Sequence, residues 1–134
     1  MKLKIGEKEL NVKFGYEATL KTRLLSRMAK MAVEMQNAED DLEKIEDMLL
    51  FIPEALTIGL QKEHSDEFGF NLDTKEGYEE KKNKVFELVS ELVDSGEVDC
   101  FDLFTDIEQE LTKNGFLKKM FEKEVEKELQ KVEN

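Results

Sequence analysis

The feature that most constrains this chain is its longest apolar segment, which also contains its only proline. Within residues 48–70 (MLLFIPEALTIGLQKEHSDEFGF), apolar side chains recur at helical spacing and leave little polar surface before residue 60. We therefore predict a central helix that is buried on most of its sides. Its predicted core residues are Leu49, Ile52, Leu56 and Leu60. Pro53 has no N–H to bond the carbonyl of Leu49, so the helix must kink there or restart with Pro53 in its first turn.

The composition favours one helical domain. Of the 134 residues, 40 % are apolar, 39 % are charged and one is proline, which is typical of a solvated helical protein. We predict a mainly α fold, a helical bundle of four to five helices with a small N-terminal β-hairpin. The predicted parts of this single domain, residues 1–134, are the hairpin at 1–15, a helical core at 16–121 and a charged helical tail, prone to fraying, at 122–134.

The sequence also predicts a soluble, cytoplasmic protein that has no contact with a membrane. It contains no apolar run of about 18 residues and no N-terminal signal segment. Its single cysteine, Cys100, has no second cysteine with which to form an internal disulfide.

The first residues, MKLKIGEKELNVKF, alternate apolar and polar side chains with a period of two, which predicts two strands. If residues 6–9 form a four-residue loop, Ile5 faces Leu10 and one face of the hairpin is wholly apolar. A two-residue turn at residues 6–7 would place Lys8 opposite Ile5 instead. Because such a hairpin is marginal alone, we expect its apolar face to lie on a helix or on another subunit.

After residue 15 the period changes to that of a helix, and the first helix is predicted to begin at Tyr16. Its apolar stripe is Leu20, Leu24, Met28, Met31 and Met35. A second stripe beside it is basic and consists of Arg23, Arg27 and Lys30. Acidic residues then gather at residues 39–41, with Asn37 as a candidate cap for the next helix.

Three more helices are predicted in the second half of the chain. One begins at Tyr78 and stops at residues 95–96. The next is capped by Asp99 or Asp102 and ends at the Asn-Gly pair, residues 114–115, which we interpret as a C-cap. The last helix follows this pair.

The net charge of −12 is distributed unevenly along the chain. Residues 1–60 contain nine Lys and Arg against eleven Asp and Glu, whereas residues 61–134 contain eleven against twenty-one. This charge argues against a nucleic-acid-binding surface, because phosphates would be repelled. The basic stripe is either a solvated face or a self-association surface. In the second case it would meet the acidic half of the next subunit head to tail, in a ring or a spiral.

No constellation of catalytic or metal-binding residues is recognisable. The only histidine, His64, has no evident nucleophile or companion ligands. The acidic surroundings of Cys100 are expected to raise the pKa of its thiol. A calcium loop that starts at Asp73 would need an oxygen ligand where Lys75 stands. We therefore expect neither an enzyme nor a bound metal or cofactor.

Large apolar side chains are numerous, with nine Phe and six Met. Most of them are expected in the core, but a helical chain of this size can keep some for a partner, and Met-rich faces adapt to varied helices. The candidate partner-binding residues are Met28, Met31, Met35, Phe101, Phe104, Phe116 and Phe121.

Three segments in the same order carry a family resemblance. KIGEKELNVKFGYEA, IPEALTIGLQKEHSDEFGF and LTKNGFLKKMF resemble the tail assembly chaperones of long-tailed phages that infect Gram-positive bacteria. The shared pattern is a short N-terminal hairpin, a LLIPELL-like and GLQK-like apolar stretch, a DEFGF-like exit and a late NGFL.

The resemblance implies a non-enzymatic, mainly helical protein that self-associates in the cytoplasm of the infected bacterium and is absent from the mature virion. Its implied partners are the tape measure protein, which it would keep soluble, and the tail tube protein that assembles around it. The alternative hypothesis is an acidic helical regulatory or adaptor protein, linked to nucleic acid through the basic stripe of the first helix.

Overall fold

The computed structural model describes residues 1–36 and 41–133, and most of them are helical. The elements in chain order are β1 (Lys2–Ile5), β2 (Lys8–Asn11), α1 (Tyr16–Lys21), α2 (Leu24–Gln36), α3 (Leu42–Leu60), α4 (Ser65–Phe68), α5 (Tyr78–Asp94), α6 (Cys100–Leu111) and α7 (Gly115–Glu133). Five helices have 12 to 19 residues, and the two others have six and four. The prediction of a mainly α bundle with a small N-terminal hairpin is confirmed. The candidate cap Asn37 lies outside the described residues.

The central apolar segment forms α3, which is capped at its start by the side chain of Asp41. The helix continues through Pro53 and does not restart there. Ile52 and Leu56, on either side of the proline, are both fully buried. Their packing outweighs the one backbone hydrogen bond that the proline removes.

One of the four predicted core residues of α3 is wrong. Leu49 is 37 % exposed, whereas Ile52, Leu56 and Leu60 are fully buried. The buried arc of α3 is centred near Met48 and Ile52, and one step along a helix turns the side chain by about 100°. Leu49 therefore falls at the edge of this arc.

The hairpin closes through the two-residue turn and not through the four-residue loop. Ile5 pairs with Lys8, and Leu3 pairs with Leu10. Gly6 has φ +63°, the left-handed conformation that such a tight turn requires and that glycine adopts without strain. Leu3 and Leu10 still share one buried face, so the hairpin keeps an apolar side.

The apolar side of the hairpin is covered by the end of α3. The N–H of Lys13 donates to the carbonyl of Gly59 at 2.9 Å, and the N–H of Asn11 donates to Nε2 of His64 at 2.9 Å. A Cβ at position 59 would lie 2.5 Å from Cγ1 of Val12 and 2.9 Å from Cε1 of Phe14. Glycine is therefore required at position 59, because any side chain there would push the hairpin away.

The prediction of one continuous first helix is wrong, because the structure divides it into α1 and α2. The N–H and the hydroxyl of Thr22 both donate to the carbonyl of Ala18, and Arg23 has φ +57°. This left-handed residue ends α1 and changes the direction of the chain. Leu20, assigned to the apolar stripe, is 42 % exposed for this reason.

The second half of the chain largely follows the predicted boundaries. α5 ends at Asp94 and is followed by a left-handed Gly96, and the carboxylate of Asp99, not that of Asp102, caps α6. The predicted C-cap at residues 114–115 is wrong, since Oδ1 of Asn114 accepts from the N–H groups of Phe116 and Leu117 and so caps the start of α7.

α7 packs along α2 and closes the bundle, while α5 packs against α3. α7 ends at Glu133, so it includes most of the predicted charged tail. Within the described part of the chain, no helix combines the length and the apolar character needed to cross a lipid bilayer.

Candidate partner-binding surface

A groove lies between the end of α2, the first half of α3 and α6. Its volume is about 450 Å³. Its lining residues are Ala32, Met35, Gln36, Ile45, Phe101, Phe104, Thr105 and Glu108. We call it the α2–α3–α6 groove.

α6 forms one wall of this groove with a single helical face. Phe101, Phe104, Thr105 and Glu108 are spaced at i, i+3, i+4 and i+7, so their side chains project on the same side. Phe104 is buried, whereas Phe101 is 51 % exposed at the rim. The carboxylate of Asp99 accepts from the N–H groups of Phe101 and Asp102 at 2.8 and 3.2 Å, which fixes the first turn of α6.

The end of α2 and one residue of α3 form the facing wall, and α3 extends the apolar surface beyond the groove. Ile45 lines the groove, and Leu42 and Leu49 lie one turn to either side of it on the helix. Leu42 is 67 % exposed and Leu49 is 37 % exposed. Adjacent exposed apolar side chains of this kind mark surfaces that bind other proteins.

Glu108 brings a carboxylate to the end of the groove. It is partly buried, and this burial raises the pKa of the carboxyl. Glu108 takes part in none of the ion pairs formed among residues 1–36 and 41–133. Among the described residues, the groove therefore combines apolar walls with one acidic group that has no ion-pair partner.

The structure brings three of the seven candidate partner-binding residues together and separates the others. Met35, Phe101 and Phe104 all line the groove. Met28 and Phe121 are buried in the core, so neither presents a surface to a partner.

Two further candidates lie outside the groove. Met31 is half-buried beside Arg27 and Phe51. Phe116 is 55 % exposed at the start of α7, where its ring centroid lies 6.1 Å from that of Tyr16. The α2–α3–α6 groove is thus one surface, and the pair formed by Tyr16 and Phe116 is a separate one.

The three basic residues assigned to self-association do not form the continuous stripe that the sequence predicts. Arg23 lies in the turn between α1 and α2, so it is not on the same helix as Arg27 and Lys30. The guanidinium of Arg27 forms an ion pair with Glu54 and lies 5.4 Å from the centroid of the Phe51 ring. Part of the positive charge is therefore neutralised by α3.

The polar cluster around Arg27 also includes Tyr78. Burial and the nearby Glu54 raise the pKa of Tyr78 to about 12. This tyrosine therefore stays neutral throughout the physiological pH range. The cluster therefore connects side chains of α2, α3 and the start of α5.

Ile45 and Glu108 also line the groove, although neither was predicted from the sequence as a partner-binding residue. Their signal was present, because Ile45 continues the spacing between Leu42 and Leu49, and Glu108 completes the i, i+7 spacing from Phe101. The position of α6 against α2 and α3 carried no signal in the sequence, since it depends on packing between distant segments.

His64 and Cys100, the two residues considered as candidates for catalysis or metal binding, lie in surroundings that do not point to either role. Nε2 of His64 accepts the N–H of Asn11, which ties the hairpin to the end of α3. Burial, and secondarily Asp99, raise the pKa of the Cys100 thiol, as predicted from the sequence. No group of three or more His, Cys, Asp and Glu side chains that could hold a metal ion occurs among the described residues.

Comparison of the chain with models of known protein families, with curated proteins and with solved structures found no match. The resemblance to tail assembly chaperones therefore remains a prediction from the sequence. The groove does not depend on that resemblance, because its apolar walls and its carboxylate are features of the structure itself.

Proposed function

We propose that the protein is a tail assembly chaperone of a long-tailed phage. It binds the tape measure protein, keeps it soluble and assists the assembly of tail tube protein around it. The observation that carries the proposal is the α2–α3–α6 groove, whose apolar walls continue onto exposed side chains of α3 and α6. The resemblance of the sequence supplies the identity of the partner.

A groove of this kind suits one helix of a long helical partner. Amphipathic helices bind by placing apolar anchors, spaced three, four or seven residues apart, in a groove between other helices. A single groove of about 450 Å³ holds only a few such anchors, so each contact is weak and readily released. Many copies of the chaperone along one tape measure protein would sum these contacts through effective concentration.

The charge of the chain supports the same function. A net charge of −12 gives mutual repulsion between loaded complexes, which opposes their aggregation. The same charge disfavours the alternative of a nucleic-acid-linked regulatory protein, as does the ion pair that engages Arg27. We propose a non-enzymatic role in the cytoplasm of the host bacterium and no place in the mature virion.

Co-expression in bacteria tests this function. With the chaperone present, the tape measure protein of the same phage is expected to move from the insoluble to the soluble fraction and to co-purify with the chaperone. The physical reason is that covered apolar stripes cannot pair with one another. Equal solubility of the tape measure protein with and without the chaperone, together with no co-purification, would refute the proposal.

We also propose that the chaperone self-associates as a ring or a spiral, with the exposed parts of Arg23, Arg27 and Lys30 near the contact. Exposed charge pairs contribute little, so apolar burial must supply most of the affinity and salt should weaken assembly only modestly. Light scattering after size exclusion measures the mass of the assembly. A monomer at every protein concentration would show that the proposal is wrong, and reversal of the three basic residues to Glu should alter the assembly.

A further inference from the structure

Glu108 is the one charged side chain among the described residues that line the α2–α3–α6 groove. It follows Phe104 by four residues and Phe101 by seven, so the three side chains lie on one face of α6. Seven residues correspond to about 10 Å along the helix axis. The groove therefore has apolar side chains at Phe101 and Phe104 and an acidic end at Glu108, one helical turn beyond Phe104 and two turns beyond Phe101.

A helix that covers this groove also covers the carboxylate. Covering would remove the water that still reaches Glu108, and a buried charge without a partner is strongly unfavourable. The raised pKa of Glu108 shows that burial already disfavours its charged form before any partner binds. A wholly apolar helix would increase this penalty, whereas a cation opposite Glu108 would offset it with a charge-assisted hydrogen bond.

We propose that the groove selects amphipathic helices that carry a lysine or an arginine two turns away from an apolar anchor. The anchor contacts Phe101 and Phe104, and the cation pairs with Glu108. This selectivity deepens the proposed function and rests on it, because it takes the groove to be the place where helices of the tape measure protein bind. It makes Glu108 the residue that sets which segments of that protein are bound.

Synthetic helical peptides with one common leucine stripe test the proposal. Three peptides differ at a single position, seven residues from the central leucine, which holds lysine, norleucine or glutamate. Fluorescence anisotropy measures the dissociation constant of each peptide with the full chain. The lysine peptide is expected to bind about tenfold more tightly than the norleucine peptide, and the glutamate peptide more weakly than both.

Variants of the chain assign the preference to one carboxylate. Glu108→Gln keeps the size of the side chain and is expected to reduce the difference between the lysine and norleucine peptides to less than about twofold. Asp106→Asn removes an exposed charge from the same helix outside the groove, so it is expected to keep the full preference. Glu108→Lys should reverse the order and favour the glutamate peptide, a gain that a misfolded chain cannot produce.

Two results would overturn the inference. One is equal binding of the lysine and norleucine peptides by the unmodified chain, and the other is no binding of any peptide. If the tape measure protein still becomes soluble on co-expression in either case, only the selectivity fails and the proposed function stands. If the peptides follow the expected order but the tape measure protein stays insoluble, the proposed function fails while the groove keeps its preference.

Discussion

Leu56→Ala is expected to lower the free energy of unfolding by about 2 to 5 kcal/mol. Leu56 is fully buried in the middle of α3, which packs against α5 and α6. Removing most of its side chain loses the transfer energy of the buried carbons and leaves a cavity that the surrounding helices fill only in part. Urea denaturation followed by circular dichroism gives the change.

Leu50→Ala is the matched control for this prediction. Leu50 has the same side chain in the same helix, but it is 58 % exposed. Its replacement is expected to change the free energy of unfolding by less than about 0.5 kcal/mol. If Leu56→Ala were as mild as Leu50→Ala, α3 would not be the centre of the core.

Under the proposed function, Phe101→Asp is expected to weaken binding of the tape measure protein by about 30-fold or more. Phe101 is the exposed aromatic side chain at the rim of the groove, and large aromatic anchors commonly dominate the affinity of an interface. The substitution removes this anchor and adds a second carboxylate on the helix face that carries Glu108. The yield of tape measure protein that co-purifies with the variant, followed by a titration of the purified complex, measures the loss.

Phe116→Asp separates a loss of the groove from a general loss of apolar surface. Phe116 is 55 % exposed, close to the 51 % of Phe101, but it lies beside Tyr16 and not in the groove. The dissociation constant of this variant is expected to stay within about twofold of that of the unmodified chain, as for most surface positions that lie away from an interface. Loss of binding by Phe116→Asp alone would move the proposed site to the start of α7.

Most helices could be predicted because their signal is local. Apolar spacing identified α3 and α5, and two candidate caps, Asp99 and Asp102, marked the start of α6, where Asp99 is the cap in the structure. The break between α1 and α2 could not be predicted in this way. It depends on Arg23 in a left-handed conformation, which a residue other than glycine or asparagine rarely adopts and which no feature of the sequence announces.

The candidate site could be predicted only as separate residues. Met35, Phe101 and Phe104 were recognised by type, but their meeting in one groove depends on how α6 packs against α3, beside the end of α2. The same limit applies to Arg27, whose partner Glu54 lies on another helix. Contacts between distant segments are set by the packing of whole helices. The spacing of apolar residues within one helix does not show which other helix it will contact.

The packing of α7 along α2 has a consequence for the synthesis of the chain. α7 begins about 80 residues after the end of α2, and ribosomes add roughly 5 to 20 residues per second. The part of α2 that α7 covers is therefore without its partner for roughly 4 to 16 s in every newly made molecule. During that interval the nascent chain exposes apolar surface of its own. On a polysome, where neighbouring copies emerge close together, each unfinished chain is exposed to the same association that the finished protein is proposed to prevent.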